Sequence, residues 1–84
     1  MKPMRAKMYI THVEKFGEPP TSERVHFAAV AKNDGYGADG VDEDNTYARW
    51  SPSGDLHLTI QNPDLLGVYE AGQKFYLDFT PAEK

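Results

Sequence analysis

The sequence predicts a mainly β protein: a small five-stranded antiparallel barrel or sandwich with one short helical turn before the last strand. Three observations predict it. Apolar and polar residues alternate with a period of two in several short runs, turn-forming residues separate those runs, and Asn62 to Gly67 carries the signature of a single helical turn. The clearest run places Leu56, Leu58 and Ile60 on one strand face and His57, Thr59 and Gln61 on the other. Ser51-Pro52-Ser53-Gly54-Asp55 precedes it and supplies turn chemistry, so Tyr47 to Ile60 reads as a β-hairpin. Trp50 is expected to anchor that hairpin against the body, its ring covering the end of a thin core.

The first strand runs from Met4 to Val13, with Ala6, Met8 and Ile10 on one face and Lys7, Tyr9 and Thr11 on the other. Val13 and Phe16 then fall on the opposite parity, which predicts a β-bulge near Thr11 and His12 or a bend between two sheets. Gly17 to Ser22 contains Pro19 and Pro20, which lack amide donors, and is a loop. Arg24 to Ala31 is the second strand. Asn33 to Asn45 has three glycines, five carboxylates and no apolar period. It is a long acidic loop for so small a domain, and long connections without structure of their own tend to be functional or disordered. Asn62-Pro63-Asp64-Leu65-Leu66-Gly67 offers a capping side chain, a proline at the first helical position and a glycine stop, with Leu65 and Leu66 expected to plug the core. Glu70 to Gln73 is a turn, and Phe75, Leu77 and Phe79 alternate in the last strand.

Residues 1–84 form one domain, and a chain of this length buries only about 60 to 65% of its unfolded surface. There is no cysteine to staple that core. The absence of cysteine, of an apolar leader and of a membrane-length apolar run predicts a soluble cytoplasmic protein. Nine basic and thirteen acidic residues give a formal charge of −4, which argues against a broad grip on phosphates. Met1 to Lys15 carries four basic residues and one acid, whereas Asp34 to Asp44 carries five acids and no base.

No catalytic constellation is legible. Ser51 or Ser53 with His57 lacks a nucleophile turn, and Gly35, Gly37 and Gly40 sit beside carboxylates that repel phosphate. His12, His26 and His57 lie on different strands without a recurring metal-ligand interval, so no metal is expected there. Asp39, Asp42, Glu43, Asp44 and Asn45 have a calcium-like composition but lack the glycine and the distant glutamate of that loop pattern. The chain is read as a non-enzyme without cofactor.

The stretch from Glu43 through Tyr47-Ala48-Arg49-Trp50-Ser51-Pro52, the Asn62-Pro63 turn, and Phe75-Tyr76-Leu77-Asp78-Phe79-Thr80-Pro81-Ala82 resembles a group of short proteins encoded by tailed bacteriophages. In that group a variable loop leads into a Trp-Ser/Thr-Pro turn, and an Asn-Pro turn into a Tyr-x-Asp-Phe-Thr-Pro end. The likeness covers about half the chain and brings no catalytic or binding residue with it. It implies a phage protein expressed in the cytoplasm of an infected bacterium, of the kind that binds and blocks or assists replication.

Two functions are therefore expected. The first is an accessory protein binding a host or phage protein through Tyr36, Asp39, Asp42, Asp44 and Tyr47. The alternative is single-stranded nucleic-acid binding, with Tyr9, Tyr47 and Trp50 stacking bases and Lys2, Arg5, Lys7 and Arg49 meeting phosphates. A thin core and unpaired sheet edges also predict a homodimer.

Overall fold

The computed structural model describes residues 3–33 and 35–83. They form one open four-stranded antiparallel sheet, not a closed five-stranded barrel. Its strands are β1 (Met4–Phe16), β2 (Ser22–Ala29), β3 (Asp55–Ile60) and β4 (Lys74–Phe79), arranged in the order β3-β2-β1-β4. A 3-10 turn, η1 (Pro63–Leu65), lies between β3 and β4. Among the described residues no helix is long and apolar enough to cross a membrane.

β1 is kinked by one extra residue. Ile10 faces Phe27 and His12 faces His26, so Thr11 has no partner of its own and the strand's parity reverses there. Before the bulge Ala6, Met8 and Ile10 form the core with Val25 and Phe27. After it Val13 packs against the same core, while His12, Glu14 and Phe16 turn to the polar face. The Thr11 hydroxyl donates to the His26 carbonyl at 3.3 Å and fastens the bulge.

The predicted hairpin over Tyr47 to Ile60 does not form. β3 takes β2 as its partner, and the arm before it pairs backwards, with Arg49 bridged to Val41 and the Trp50 amide donating to the Gly40 carbonyl at 2.8 Å. Trp50 has φ of +63°, a left-handed conformation that a strand cannot hold. The ring is 52% exposed, so it does not anchor the body as a buried plug.

The acidic loop is instead part of a longer excursion, residues 30–54, that is bonded into the sheet. β2 ends at Ala29, leaving the adjacent edge of β1 open from Arg5 to Lys7. Loop groups fill it: the Val30 amide donates to the Lys7 carbonyl, the Thr46 amide donates to the Arg5 carbonyl, the Arg5 amide donates to Thr46 Oγ1, and the Lys7 amide donates to Asn45 Oδ1 at 2.7 Å. Asn45 is fully buried and its Nδ2 donates to the Val30 carbonyl and to Asp42 Oδ2. Asp42, also buried, accepts from the amides of Lys32, Asp44 and Asn45. Lys7 is covered as well, its Nζ 3.6 Å from Asp44 and 3.5 Å from Asn33 Oδ1.

The connection from β3 to β4 crosses the apolar face, because those strands lie at opposite edges of the sheet. Asn62 caps η1 through its side chain, Gly67 follows at φ +79°, and the Glu70 to Gln73 turn bonds back to Ile10. Buried Glu23 accepts from the Gly67 amide at 3.1 Å and pins the crossing chain. Leu65 and Leu66 do not plug the core; Leu65 is exposed at the rim of an open groove whose floor is Val25, Phe27, Leu56, Leu58 and Leu77.

The Asp42 carboxyl is pushed up by burial but pulled further down by the hydrogen bonds it accepts from Asn45, Asp44 and Lys32, so its pKa lies below the ordinary aspartate value. The unfolded chain then binds the extra proton first as pH falls, so this stabilisation is present above about pH 4 and is lost as pH drops through the folded value. Urea melts from pH 7 to pH 3 should show stability falling with acid in the wild type. Asp42→Asn should be less stable by about 1–3 kcal/mol at pH 7 and have a flatter profile, the two curves converging at low pH.

Candidate functional site

Two regions place reactive or recognition side chains at the surface. The first is the outer rim of loop 30–54. Gly40, at φ +71°, lets the Trp50 ring lie directly on its backbone: a Cβ there would sit 2.5 Å from Trp50 Cε2. Tyr36 meets the indole edge-on, ring centroids 6.1 Å apart, and its buried hydroxyl has no hydrogen-bond partner among the described residues. Burial, helped by the negative charge of Asp42, pushes the Tyr36 hydroxyl pKa up. Asp39 is exposed and accepts from the Val41 amide, while Arg49 reaches the Asp39 carbonyl at 3.5 Å. Tyr47 stands 39% exposed beside Gly54.

The residues expected to bind a partner thus divide. Asp39 and Tyr47 face outward, Tyr36 backs Trp50, and Asp42 and Asp44 turn inward to hold the loop on β1. Asp34, counted with the same acidic loop, lies outside the described residues.

The residues expected to grip single-stranded nucleic acid are not gathered either. Lys7 is buried, and Arg5 is engaged by Asp78 through two hydrogen bonds of 2.7 and 3.2 Å while lying over the Tyr76 ring at 4.6 Å. That hydrogen bond from Arg5 holds the Asp78 carboxyl below its usual range. Tyr9 sits opposite Ala28 on the polar face, Arg49 and Trp50 belong to the loop rim, and Lys2 lies outside the described residues.

The second region was missed by spacing alone. On the polar face His57, His26 and His12 stand in register across β3, β2 and β1. The His12 and His26 rings stack with centroids 4.0 Å apart and planes 12° apart, and His57 follows at 5.8 Å. Glu14 Oε1 lies 2.6 Å from His26 Nε2, and this hydrogen bond lowers the Glu14 carboxyl pKa against the effect of burial. Ala28 adds no bulk, and the patch borders a shallow depression that Asp55 and Thr11 complete. No interval in the sequence announces this row. The one legible signal is the parity break after Ile10, because without the bulge His12 would point to the apolar face.

The chain matches no protein-family model, and no curated protein or solved structure matches it.

Trp50 yields a direct test of the strained corner. Alanine at φ +63° keeps the strain and loses the half-buried ring, whereas glycine loses the same ring and accepts the conformation freely. Trp50→Ala should lower stability by about 1–3 kcal/mol, less than a fully buried ring would. Trp50→Gly should be more stable than Trp50→Ala by about 1 kcal/mol, the reverse of the usual order, as read from urea midpoints.

Proposed function

We propose that this protein is a non-catalytic accessory protein, of the phage kind its motifs resemble, that binds a host or phage protein through the outer rim of loop 30–54. Trp50 carries this reading. A large aromatic side chain held at positive φ, half exposed and backed by Gly40 and Tyr36, stores backbone strain that packing alone does not require. Aromatic side chains presented rigidly at a surface are the usual anchors of protein interfaces, since they bury much area and lose little freedom. The Asp42–Asn45 network supplies the rigidity, and Asp39 and Tyr47 flank the ring. Affinity capture from bacterial lysate should recover a partner with the wild type. Trp50→Gly should lose it while keeping the wild-type circular dichroism. Equal recovery from both removes the loop rim from consideration.

We further propose that the working form is a homodimer in which the apolar sheet faces of two copies meet as a sandwich. The area supports this. The chain exposes 6212 Å², about 1,200 Å² more than the roughly 5,000 Å² of a compact monomer of its 9.4 kDa mass. Its radius of gyration is 15.2 Å against about 12 Å for a compact domain of this length, and its thinnest dimension is 16 Å. Part of that surface is the projecting β1–β2 ribbon, but Leu58, Val68 and Phe79 are each at least 50% exposed on or beside the apolar face. A standard interface takes about 800 Å² per partner. Sedimentation equilibrium should give twice the 9.4 kDa chain mass. Leu58→Lys, which places a charge on the β3 side of that face, should give the chain mass itself with the fold retained; a wild-type monomer at tens of micromolar would end this part of the reading.

A further inference from the structure

Independently of the loop rim and the apolar face, the polar face past the bulge gathers metal-ligating groups. We infer that His12, Glu14 and His26 form a surface site for a divalent first-row transition ion of the Zn²⁺ class.

One ligand atom from each of the three side chains lies within 4.8 Å of the others. In a tetrahedral shell with bonds of 2.0–2.1 Å the ligand atoms stand roughly 3.3 Å apart, so the set closes on fixed strands when the stacked His12 and His26 rings tilt to aim their nitrogens at one point. Two imidazole nitrogens and one carboxylate oxygen suit zinc, iron, nickel or copper. Calcium and magnesium call for oxygen ligands throughout, which this set does not offer.

The hydrogen bonds already present favour the ligating forms. The Thr11 hydroxyl lies 3.3 Å from the His26 carbonyl and 3.1 Å from His12 Nδ1, so in the tautomer where it donates to the carbonyl it can accept from His12 Nδ1–H. That tautomer carries the His12 proton on Nδ1 and leaves the Nε2 lone pair for an ion, the arrangement by which an outer-shell group orients a ligand histidine. Between His26 Nε2 and Glu14 Oε1, now 2.6 Å apart, an ion takes the place of the shared proton, which leaves to solvent.

The surroundings also fit. His57 and Asp55 border the same depression, and Arg24, whose charge also acts on Glu14, is held with its guanidinium over the Phe16 ring and its Nε on Thr59. Three protein ligands leave a position for water or for a donor from a bound partner.

The test is a calorimetric titration of Zn²⁺ into the full chain in buffer free of competing ligands, with the imidazole ¹⁵N resonances followed in parallel. One ion per chain is expected, with the His12 and His26 resonances moving together. His12→Ala and Glu14→Gln, both exposed and verified as folded by circular dichroism, should each weaken binding by more than about tenfold, the least effect expected of a direct ligand when outer-shell losses alone reach that size. Asp39→Asn on the loop rim should leave it unchanged. The site is overturned by absence of saturable binding up to millimolar Zn²⁺, by binding that survives both His12→Ala and Glu14→Gln, or by wild-type shifts confined to His57.

Discussion

β1 is thirteen residues long, and no neighbouring strand is long enough to satisfy its backbone alone. β4 takes one edge from Met4 to Tyr9, and β2 takes the other from Met8 to Phe16. What remains is the β2-side edge at Arg5 and Lys7, in a stretch where Ala6, Lys7 and Met8 are all buried. Unpaired amides and carbonyls there would each lose their bond to water without replacement. The chain solves this with side chains as well as backbone. Thr46 lends a hydroxyl to one amide, and Asn45 lends a carbonyl oxygen to the next while both its N–H groups are occupied elsewhere. Loop 30–54 therefore continues the place beside β1 that β2 vacates at Ala29, without strand conformation.

The same logic explains why an acidic loop folds inward. Asp42 is a poor candidate for burial by composition, yet its two oxygens collect three backbone amides and the Asn45 side chain, which together offset its desolvation. Asp44 meets Lys7, a lysine drawn beneath the loop. Asp42 and Asp44 are consumed in holding the loop down, while Asp39, Glu43 and Arg49 stay exposed beside Trp50, Tyr47 and Val41. The outer rim of the loop therefore presents fewer carboxylates than its sequence carries, alongside exposed aromatic and apolar groups.

Much of the frame was legible. The parity of Val13 and Phe16 called for a bulge near Thr11 and His12 or a bend between two sheets, and the bulge is what forms, one extra residue reversing the alternation. Asn62-Pro63 and Gly67 located η1 and its stop, since each residue there answers a local backbone need. Local chemistry could not reveal partners distant in sequence. Ser51-Pro52-Ser53-Gly54 has good turn residues, but whether the arm before it pairs forward to β3 or backward to Gly40 depends on which edge β2 has taken. Likewise, fourteen residues separate His12 from His26 and thirty-one separate His26 from His57, and only the strand register turns those intervals into neighbours.

The bulge at Thr11 links these features. One inserted residue lets β1 contribute Ala6, Met8 and Ile10 to the core, then Val13, while His12 and Glu14 move to the opposite face beside His26. Since successive side chains of a strand point to opposite sides, the apolar face and the histidine row cannot compete for one surface. Two copies meeting through Leu58 and its neighbours would leave both histidine rows outward, facing away from each other across the sandwich. An ion bound there would sit on the rigid middle of the sheet, where two strands fix its ligands. Were Thr11 to take a regular place in the ladder, His12 would point to the apolar side and Val13 to the polar side, so holding that one residue out of the pairing keeps the two faces chemically distinct.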